Sequence, residues 1–393
     1  MNKTKQTIQK YKKYVLNTYT RTPVVFTKAK GSLMQDAQGK KYLDFFSGWA
    51  VSGLGHCHGA VIRGLKSQLN KMLHVPNNYY NQPQAQLAEE IITSSFEGKV
   101  FFANSGAEAN EAAIKLARAY GKGRYEVITM KKSFHGRTLA TIAATGQDKV
   151  KKGFKPLPIG FKHVKFNDID AVKKAISKKT AAIMLELIQG EGGVNIASQE
   201  YVKQLRTLCN KKKLLLIVDE VQTGIGRTGK MFCYQHYGII PDAMTLAKSL
   251  GGGLPIGVMV VRNKFAHFLK PGMHASTFGG SPIICAAALG VFHAIKKEKL
   301  LYNTNKMGSY LFGKLKALKK QHSVIKGIKH KGLMFGVELD VKGDEIVKKC
   351  MQQGLLINCT QGNILRIFPV LTVKKSEIDK GIKILAKVLK DCK

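Results

Sequence analysis

The stretch that most constrains this chain is residues 214–257, LLLIVDEVQTGIGRTGKMFCYQHYGIIPDAMTLAKSLGGGLPIG. It opens with apolar residues at 214–218, without a polar break, and halts on Asp219 and Glu220. A strand wet on one side alternates apolar and polar residues, so an unbroken run predicts a strand covered on both faces, as in a parallel sheet. A second run, 243–247, halts on Lys248 and is followed by Gly251, Gly252 and Gly253, which read as a flexible turn. If both runs are parallel strands, Asp219 and Lys248 stand at the carboxyl edge of one sheet, where open α/β sheets hold their ligands. A lysine after a strand is ordinarily solvated. Here apolar residues precede it and glycines follow, and desolvation of that kind frees an amine to condense with an aldehyde.

The same stretch holds a decoy. Gly224, Gly226 and Gly229 spell G-x-G-x-x-G, with Asp242 about twenty residues on, as a dinucleotide fingerprint requires. The context excludes it: residues 219–223 separate the strand from the first glycine, no clear helix follows, and Pro241 adjoins the supposed ribose acid.

Four further motifs accompany this stretch. Residues 99–121, KVFFANSGAEANEAAIKLARAYG, predict a short strand at 100–102 and then a helix. Its face is Ala109, Ala112, Ala113, Leu116, Ala117 and Tyr120, Ser105 and Glu108 make a capping box, and Gly121 suits the far end. A strand entering a helix through Asn-Ser-Gly exposes backbone N–H groups at the positive end of the helix dipole, which suits an anion; a plain capped helix reads the same way. A strand at 126–130 precedes KKSFHGRT, and another at 181–185 ends on Glu186 and runs into ELIQGEGG, with Glu191 read as flexible between Gly190 and Gly192. HASTFGGSP, residues 274–282, reads as a turn of small residues. Nearer the N-terminus, an amphipathic lysine-rich segment at 1–20 is broken by Arg21-Thr22-Pro23, and strands follow at 24–28, 33–36 and 41–45. From residue 283 the pattern is helix, then short strands within 327–340 and 355–367, then a closing helix from 375: an α+β tail that contains LRIFPVL.

DEVQTGIGRTG followed by TLAKSLGGGLPIG, together with these motifs and with YTRTPVVFTKAKGSLMQDAQGKKYLDFFSGWAVSGLGHCH near the start, resembles the class III (ω-) aminotransferases over nearly the full chain. The resemblance implies an α/β fold, that of the type I pyridoxal-phosphate transferases. A mostly parallel central sheet would lie in a large cofactor-binding domain (46–282), beside a smaller α+β domain (283–393) joined by an N-terminal segment (1–45). It implies pyridoxal 5'-phosphate as cofactor, carried by Lys248, with Asp219 on the pyridine nitrogen and Gln222 near the ring hydroxyl. The phosphate falls on Gly106 and Ala107, with Ser105 among the cofactor-binding residues, and Phe134 stacks on the ring. Arg137 is the implied fork for a substrate carboxylate, a role its planar guanidinium suits, and Arg366 binds a second carboxylate, covered by Glu191 when an ω-amine reacts. Thr277 and Ser276 reach across a homodimer interface, to the partner's phosphate and to substrate. The implied reaction moves an amine to 2-oxoglutarate. Several ω-amines share this constellation, separated by pocket shape near Tyr19, Trp49 and Val51. A basic binding protein that kept the fold and lost turnover is the other reading, against which the intact Lys248, Asp219 and Arg366 argue. The chain departs from the family pattern at Gly59, Leu187 and Val370, each where proline is common.

Composition narrows the partners. A formal net charge of +39 raises nucleic acid or an anionic membrane. The lysines are dispersed in twos and threes, however, without a basic stripe interleaved with aromatics, so no specific nucleic acid is expected. No apolar run reaches the roughly 18 residues of a membrane span, and the start lacks the apolar centre of a signal peptide, so the expected location is the cytoplasm. Seven cysteines without C-x-x-C suggest neither a disulfide framework nor a zinc ribbon, and the adjacent His56, Cys57 and His58 point apart; no metal is expected.

Overall fold

A computed structural model describes residues 3–390; Met1, Asn2 and residues 391–393, the ends of the expected terminal segments, lie outside the described residues. Its centre is a seven-stranded sheet of β1 (Gly98–Ala103), β2 (Glu126–Met130), β3 (Phe161–Val164), β4 (Thr180–Leu185), β5 (Leu215–Asp219), β6 (Ala243–Leu246) and β7 (Gly257–Arg262). The strand order is β1-β7-β6-β5-β4-β2-β3, and the pairs are parallel except where β7 meets β1 and β6.

The unbroken run of β5 has the predicted cause. Leu215 and Ile217 pack with Val127, Ala182, Met184 and Met259 in one core, under the helix Gly106–Gly121, while Leu216 and Val218 join Ile128, Ile183, Leu185 and Met244 in the other. Alternate side chains of a strand point to opposite faces, so both faces here must be apolar. Full burial of each such side chain stabilises by about 1.5–3 kcal/mol. The register sets Asp219 beside Thr245, and the chain leaves β6 directly into a single turn of 3₁₀-helix, Lys248–Gly251. Asp219 and Lys248 therefore emerge at one edge.

Asp242 stands at the opposite edge. It accepts the Leu216 N–H (2.9 Å) and pairs with Arg206 (2.8 Å), and the glycines before it open only turns and one short 3₁₀ segment, Cys233–His236.

The lysine-rich N-terminal segment is helical over part of its length. The first helix, Lys3–Tyr14, ends well before Arg21, because Val15, Leu16 and Tyr19 are exposed and no core holds a further turn. The strands Phe26–Lys30, Leu33–Asp36 and Lys41–Asp44 form a meander, joined in parallel by Leu355–Leu356. A separate antiparallel sheet comprises Ile325–Lys331, Met334–Leu339, Ile364–Ile367 and Asn358–Thr360. Helices Pro282–Lys297 and Leu300–Gln321 precede it, and Lys375–Lys390 closes the described chain. Among the described residues no helix is long and apolar enough to cross a membrane.

Two of the departures from the family pattern sit quietly in this fold. Gly59 is the first residue of the helix Gly59–Leu69, whose cap is His58, and Val370 is buried.

Candidate active site

A cavity of about 520 Å³ opens at the carboxyl edge of the sheet. It is lined by Ser105, Gly106, Ala107, Phe134, Arg137, Glu191, Asp219, Gln222 and Lys248, nine of the residues singled out in the sequence. Lys248 is held in the left-handed region (φ 48°), a conformation that costs a non-glycine residue free energy and recurs at functional sites. Burial pushes its amine below the ordinary lysine range; Glu191, Asp219 and Glu186 pull the other way, and Arg366 adds to the lowering. Gly252 (φ 59°) and Gly253 (φ 113°) follow. They supply backbone shape more than flexibility, since a Cβ on Gly252 would lie 2.8 Å from Val61.

Asp219 is buried and fixed by three donors. Asn110 Nδ2 (2.8 Å) and His135 Nδ1 (2.8 Å) reach Oδ2, and the Val221 N–H (3.0 Å) reaches Oδ1. Asn110 also donates to the His135 carbonyl (2.7 Å) and accepts from the Thr245 hydroxyl (2.7 Å), so one amide joins the helix, the loop and β6. Neither Asn110 nor His135 had been assigned a role from the sequence. The signal for Asn110 was available: an asparagine beside Ala109, on the side of the helix that Ala113 and Ala117 bury.

The helix Gly106–Gly121 begins at this cavity. Ser105 Oγ accepts the Glu108 N–H (3.2 Å), while Glu108 reaches back to the Asn104 N–H (2.9 Å), one residue earlier than a strict capping box. The first N–H groups of a helix have no partner inside it, which leaves those of Gly106 and Ala107 for a ligand. Gly106 is also a close approach, since a Cβ there would lie 2.8 Å from Val221. At the far end it is Lys122 that turns left-handed (φ 47°), after Gly121.

Phe134 is partly buried beside the cavity, and the Arg137 guanidinium lies over its ring at 5.6 Å while remaining exposed. Glu186 is buried and lines the same cavity, its carboxyl pushed up to about 7 by desolvation. The loop after it stays ordered without the family's proline: Leu187 is buried, its carbonyl accepts the Ala197 N–H (2.9 Å), and Ile188–Gln189 pairs with Asn195–Ile196 as a hairpin.

That hairpin carries Glu191 onto Arg366. The pair is 2.5 Å apart, and Arg366 is 1% exposed, with Asn358 Oδ1 (2.9 Å) and the Gly190 carbonyl (3.3 Å) as further acceptors. The glycines around Glu191 answer to close packing. A Cβ on Gly190 would meet Gln222 Oε1 at 1.5 Å, and one on Gly192 would meet the Lys132 carbonyl at 2.7 Å.

Ser276 and Thr277 lie outside this chain's cavity. Ser276 Oγ accepts from Asn104 Nδ2 (3.1 Å) at its rim, and Thr277 is exposed. Of Tyr19, Trp49 and Val51, only Val51 lines it. Ser47, Gly48, Trp49 and Ala50 form a left-handed turn (φ 50–68°), unforeseen in the sequence. The Ser249 hydroxyl holds this turn by donating to the Ala50 carbonyl (2.6 Å), one residue from Lys248.

Fold and cavity together define an enzyme that works on amines at a lysine lining the cavity, and comparison gives the family. The profile described as Aminotransferase class-III matches residues 14–389, and the chain belongs to that family. Acetylornithine aminotransferase of Caldanaerobacter subterraneus subsp. tengcongensis is 52% identical over 97% of this chain and 98% of its own; that of Methanocaldococcus jannaschii is 48% identical over 97% of each. Among solved structures, the ornithine aminotransferase of Toxoplasma gondii ME49 superposes with a TM-score of 0.96 at 31% identity, covering 100% of this chain and 96% of its own.

The class III aminotransferases depend on pyridoxal phosphate, and the residues present fit that group. Lys248 supplies an amine whose proton is weakened, the first turn of Gly106–Gly121 supplies unpaired N–H groups, and Asp219 supplies a fixed carboxylate. Gln222 Oε1 is buried without a partner, a polar end that a ligand would satisfy.

Proposed function

We propose that the chain transfers the terminal amine of N2-acetylornithine to 2-oxoglutarate, giving N-acetylglutamate 5-semialdehyde and glutamate, and that it acts as a homodimer in the cytoplasm. The observation that carries this reading is the Glu191–Arg366 pair inside the lysine cavity. A guanidinium this buried and already paired suits an amine donor whose reacting end has no carboxylate. The names of the relatives at 52% and 48% identity point to the same donor.

Pyridoxal phosphate, when bound, supplies an aldehyde that condenses with amines and a ring that takes up the electrons released at the carbon bearing nitrogen. The chain's own residues do the rest. Lys248 Nζ, whose proton is weakened by burial, would take the proton from that carbon and deliver it to the carbon that the aldehyde brought, so that the amine stays behind and the substrate leaves as a carbonyl compound. Asp219 presents a charge fixed by Asn110, His135 and the Val221 N–H to the ring nitrogen. Arg137, exposed at the mouth, grips the carboxylate at the far end of either substrate. Glu191 neutralises Arg366 while acetylornithine reacts and gives way when the α-carboxylate of glutamate arrives. Residues 46–282 then hold the cofactor, and residues 283–393 with 1–45 bring Arg366 to it.

An exposed apolar surface supports the dimer. Leu69, Met72, Leu73, Tyr79, Tyr80, Met273 and Phe278 are all exposed, and Asn77 ties this region to HASTFGGSP by donating to the carbonyls of Ser276 (3.0 Å) and Gly279 (2.9 Å). A patch of this kind on a soluble fold marks an interface, and Thr277 stands within it to reach a neighbour's site.

The test is the visible spectrum of the purified protein as candidate ω-amines are added singly, followed by 2-oxoglutarate. Acetylornithine should bleach the cofactor band fastest, and the keto acid should restore it. Faster bleaching by ornithine would replace this donor with that of the T. gondii enzyme.

A further inference from the structure

Glu186 takes no part in the chemistry above, yet its two carboxylate oxygens reach two separate segments of the site. Oε2 accepts the Phe134 N–H (2.9 Å), on the loop that carries the ring-stacking side chain and Arg137. Oε1 accepts the Gly190 N–H (3.3 Å), on the hairpin that carries Glu191. Gly190 is held on its other sides as well: its carbonyl accepts from Arg366, and its bare Cα packs on the Gln222 amide. Gly192 abuts the Lys132 carbonyl, which belongs again to the ring-bearing loop. A backbone pinned at so many points has little room to swing.

We propose that Glu186 is a positioning residue that locks the glycine hairpin and the ring-bearing loop to one carboxylate, so that Glu191 leaves Arg366 by rotation of its own side chain over a hairpin that stays still. This rests on the Glu191 exchange described above and specifies how it happens. It also accounts for a buried acid whose neighbours include another acid, Asp219, besides His135 and Lys248. A carboxylate buried there is costly unless its oxygens are used.

Hydrogen exchange of the full-length holoenzyme, read by mass spectrometry on peptides covering residues 131–138 and 186–197, tests the lock directly. Glu186→Gln keeps the size and offers one acceptor where two N–H groups need one each. Exchange should rise about tenfold in at least one of the two segments, the order expected for losing a hydrogen bond to a charged acceptor. The unsubstituted protein gives the same test without a variant. Desolvation puts the Glu186 carboxyl near 7, and protonation removes one acceptor, in this geometry Oε1 with its longer bond. Hairpin exchange, corrected for intrinsic base catalysis, should therefore be faster at pH 6 than at pH 8. Adding glutamate at pH 8 should leave it unchanged.

The kinetic readout is the ratio of the two half-reactions. In Glu186→Gln the ratio should shift, and by less when Glu191→Gln is already present, because both act on one exchange. If Glu191→Gln moves the ratio but Glu186→Gln alters neither exchange nor ratio, the lock is wrong and the Glu191 exchange stands. If Glu191→Gln leaves the ratio untouched, both fall. Hairpin exchange that rises on binding glutamate would overturn side-chain rotation alone.

Discussion

Replacing Glu191 with Gln removes one charge from the cavity and almost none of its volume. Arg366 then faces a neutral amide in place of the Glu191 carboxylate, together with Asn358 Oδ1 and the Gly190 carbonyl, while its guanidinium stays almost wholly buried. Loss of the charge-assisted part of a bond at 2.5 Å costs about 2 kcal/mol, a figure set toward the low end because the Glu191 side chain is 24% exposed. Glutamate no longer has to displace a carboxylate, so its apparent affinity should rise by up to about thirtyfold. Acetylornithine brings no carboxylate to that point and leaves a buried cation unpaired, so its half-reaction should slow by about tenfold or more. Stopped-flow absorbance of the cofactor measures each half-reaction separately. Equal losses in both would refute the exchange, and so would a glutamate half-reaction that weakens while the other holds.

Lys248→Ala should abolish turnover together with the borohydride-reducible link to cofactor; a reduced adduct on another lysine would contradict the assignment. Since burial lowers the amine, the unprotonated form gains population at lower pH than in a free lysine, and the pH–rate profile should rise with a midpoint below 10.5. Asn110→Ala removes one of three donors to Asp219 and should slow both half-reactions about tenfold without releasing cofactor, as read by single-turnover kinetics and the bound-cofactor spectrum; unchanged rates would remove Asn110 from the site. Gly59→Pro restores a residue suited to the first position of a helix, where its Cβ meets only the flexible end of Arg63, and should stabilise by about 0.5–1 kcal/mol in thermal unfolding.

What the sequence disclosed followed from periodicity and from abrupt stops. The apolar run before Asp219 implied two covered faces, and Leu215, Leu216, Ile217 and Val218 fill two cores in alternation. The stops on Asp219 and Lys248 marked the edge where the cavity opens. Residues that act through contacts distant in sequence left weaker traces. Asn110 and His135 meet Asp219 across 109 and 84 positions, separations that no local pattern encodes. The left-handed turn at residues 47–50 was equally silent: only Gly48 favours it, and Ser47 and Ala50 are held there by tertiary bonds, Ser47 to the Phe368 carbonyl and Ser249 to Ala50. The lysine-rich entry segment left its helical extent unstated; the helix covers Lys3–Tyr14, and the exposure of Val15, Leu16 and Tyr19 beyond it gives a further turn no packed face.

The glycines beside Glu191 show where a local reading gives the wrong reason for the right residue. In the sequence they suggest mobility; in the fold each is a contact, and the two contacts differ in kind. An alanine Cβ at position 190 would lie 1.5 Å from the end of the Gln222 side chain, which can rotate away only by vacating its place beside the cavity. An alanine Cβ at position 192 would lie 2.7 Å from the backbone carbonyl of Lys132, which cannot rotate away. Gly190→Ala should therefore damage function first, weakening cofactor binding and both half-reactions while thermal unfolding changes little. Gly192→Ala should appear first in stability, lowering the unfolding temperature as the hairpin and the ring-bearing loop are forced apart, an overpacking strain of about 1–3 kcal/mol. Cofactor titration and calorimetry on the two variants separate these outcomes. If the glycines serve flexibility alone, both substitutions should slow the exchange at Glu191 alike and leave cofactor affinity and unfolding temperature unmoved, which would refute the packing account.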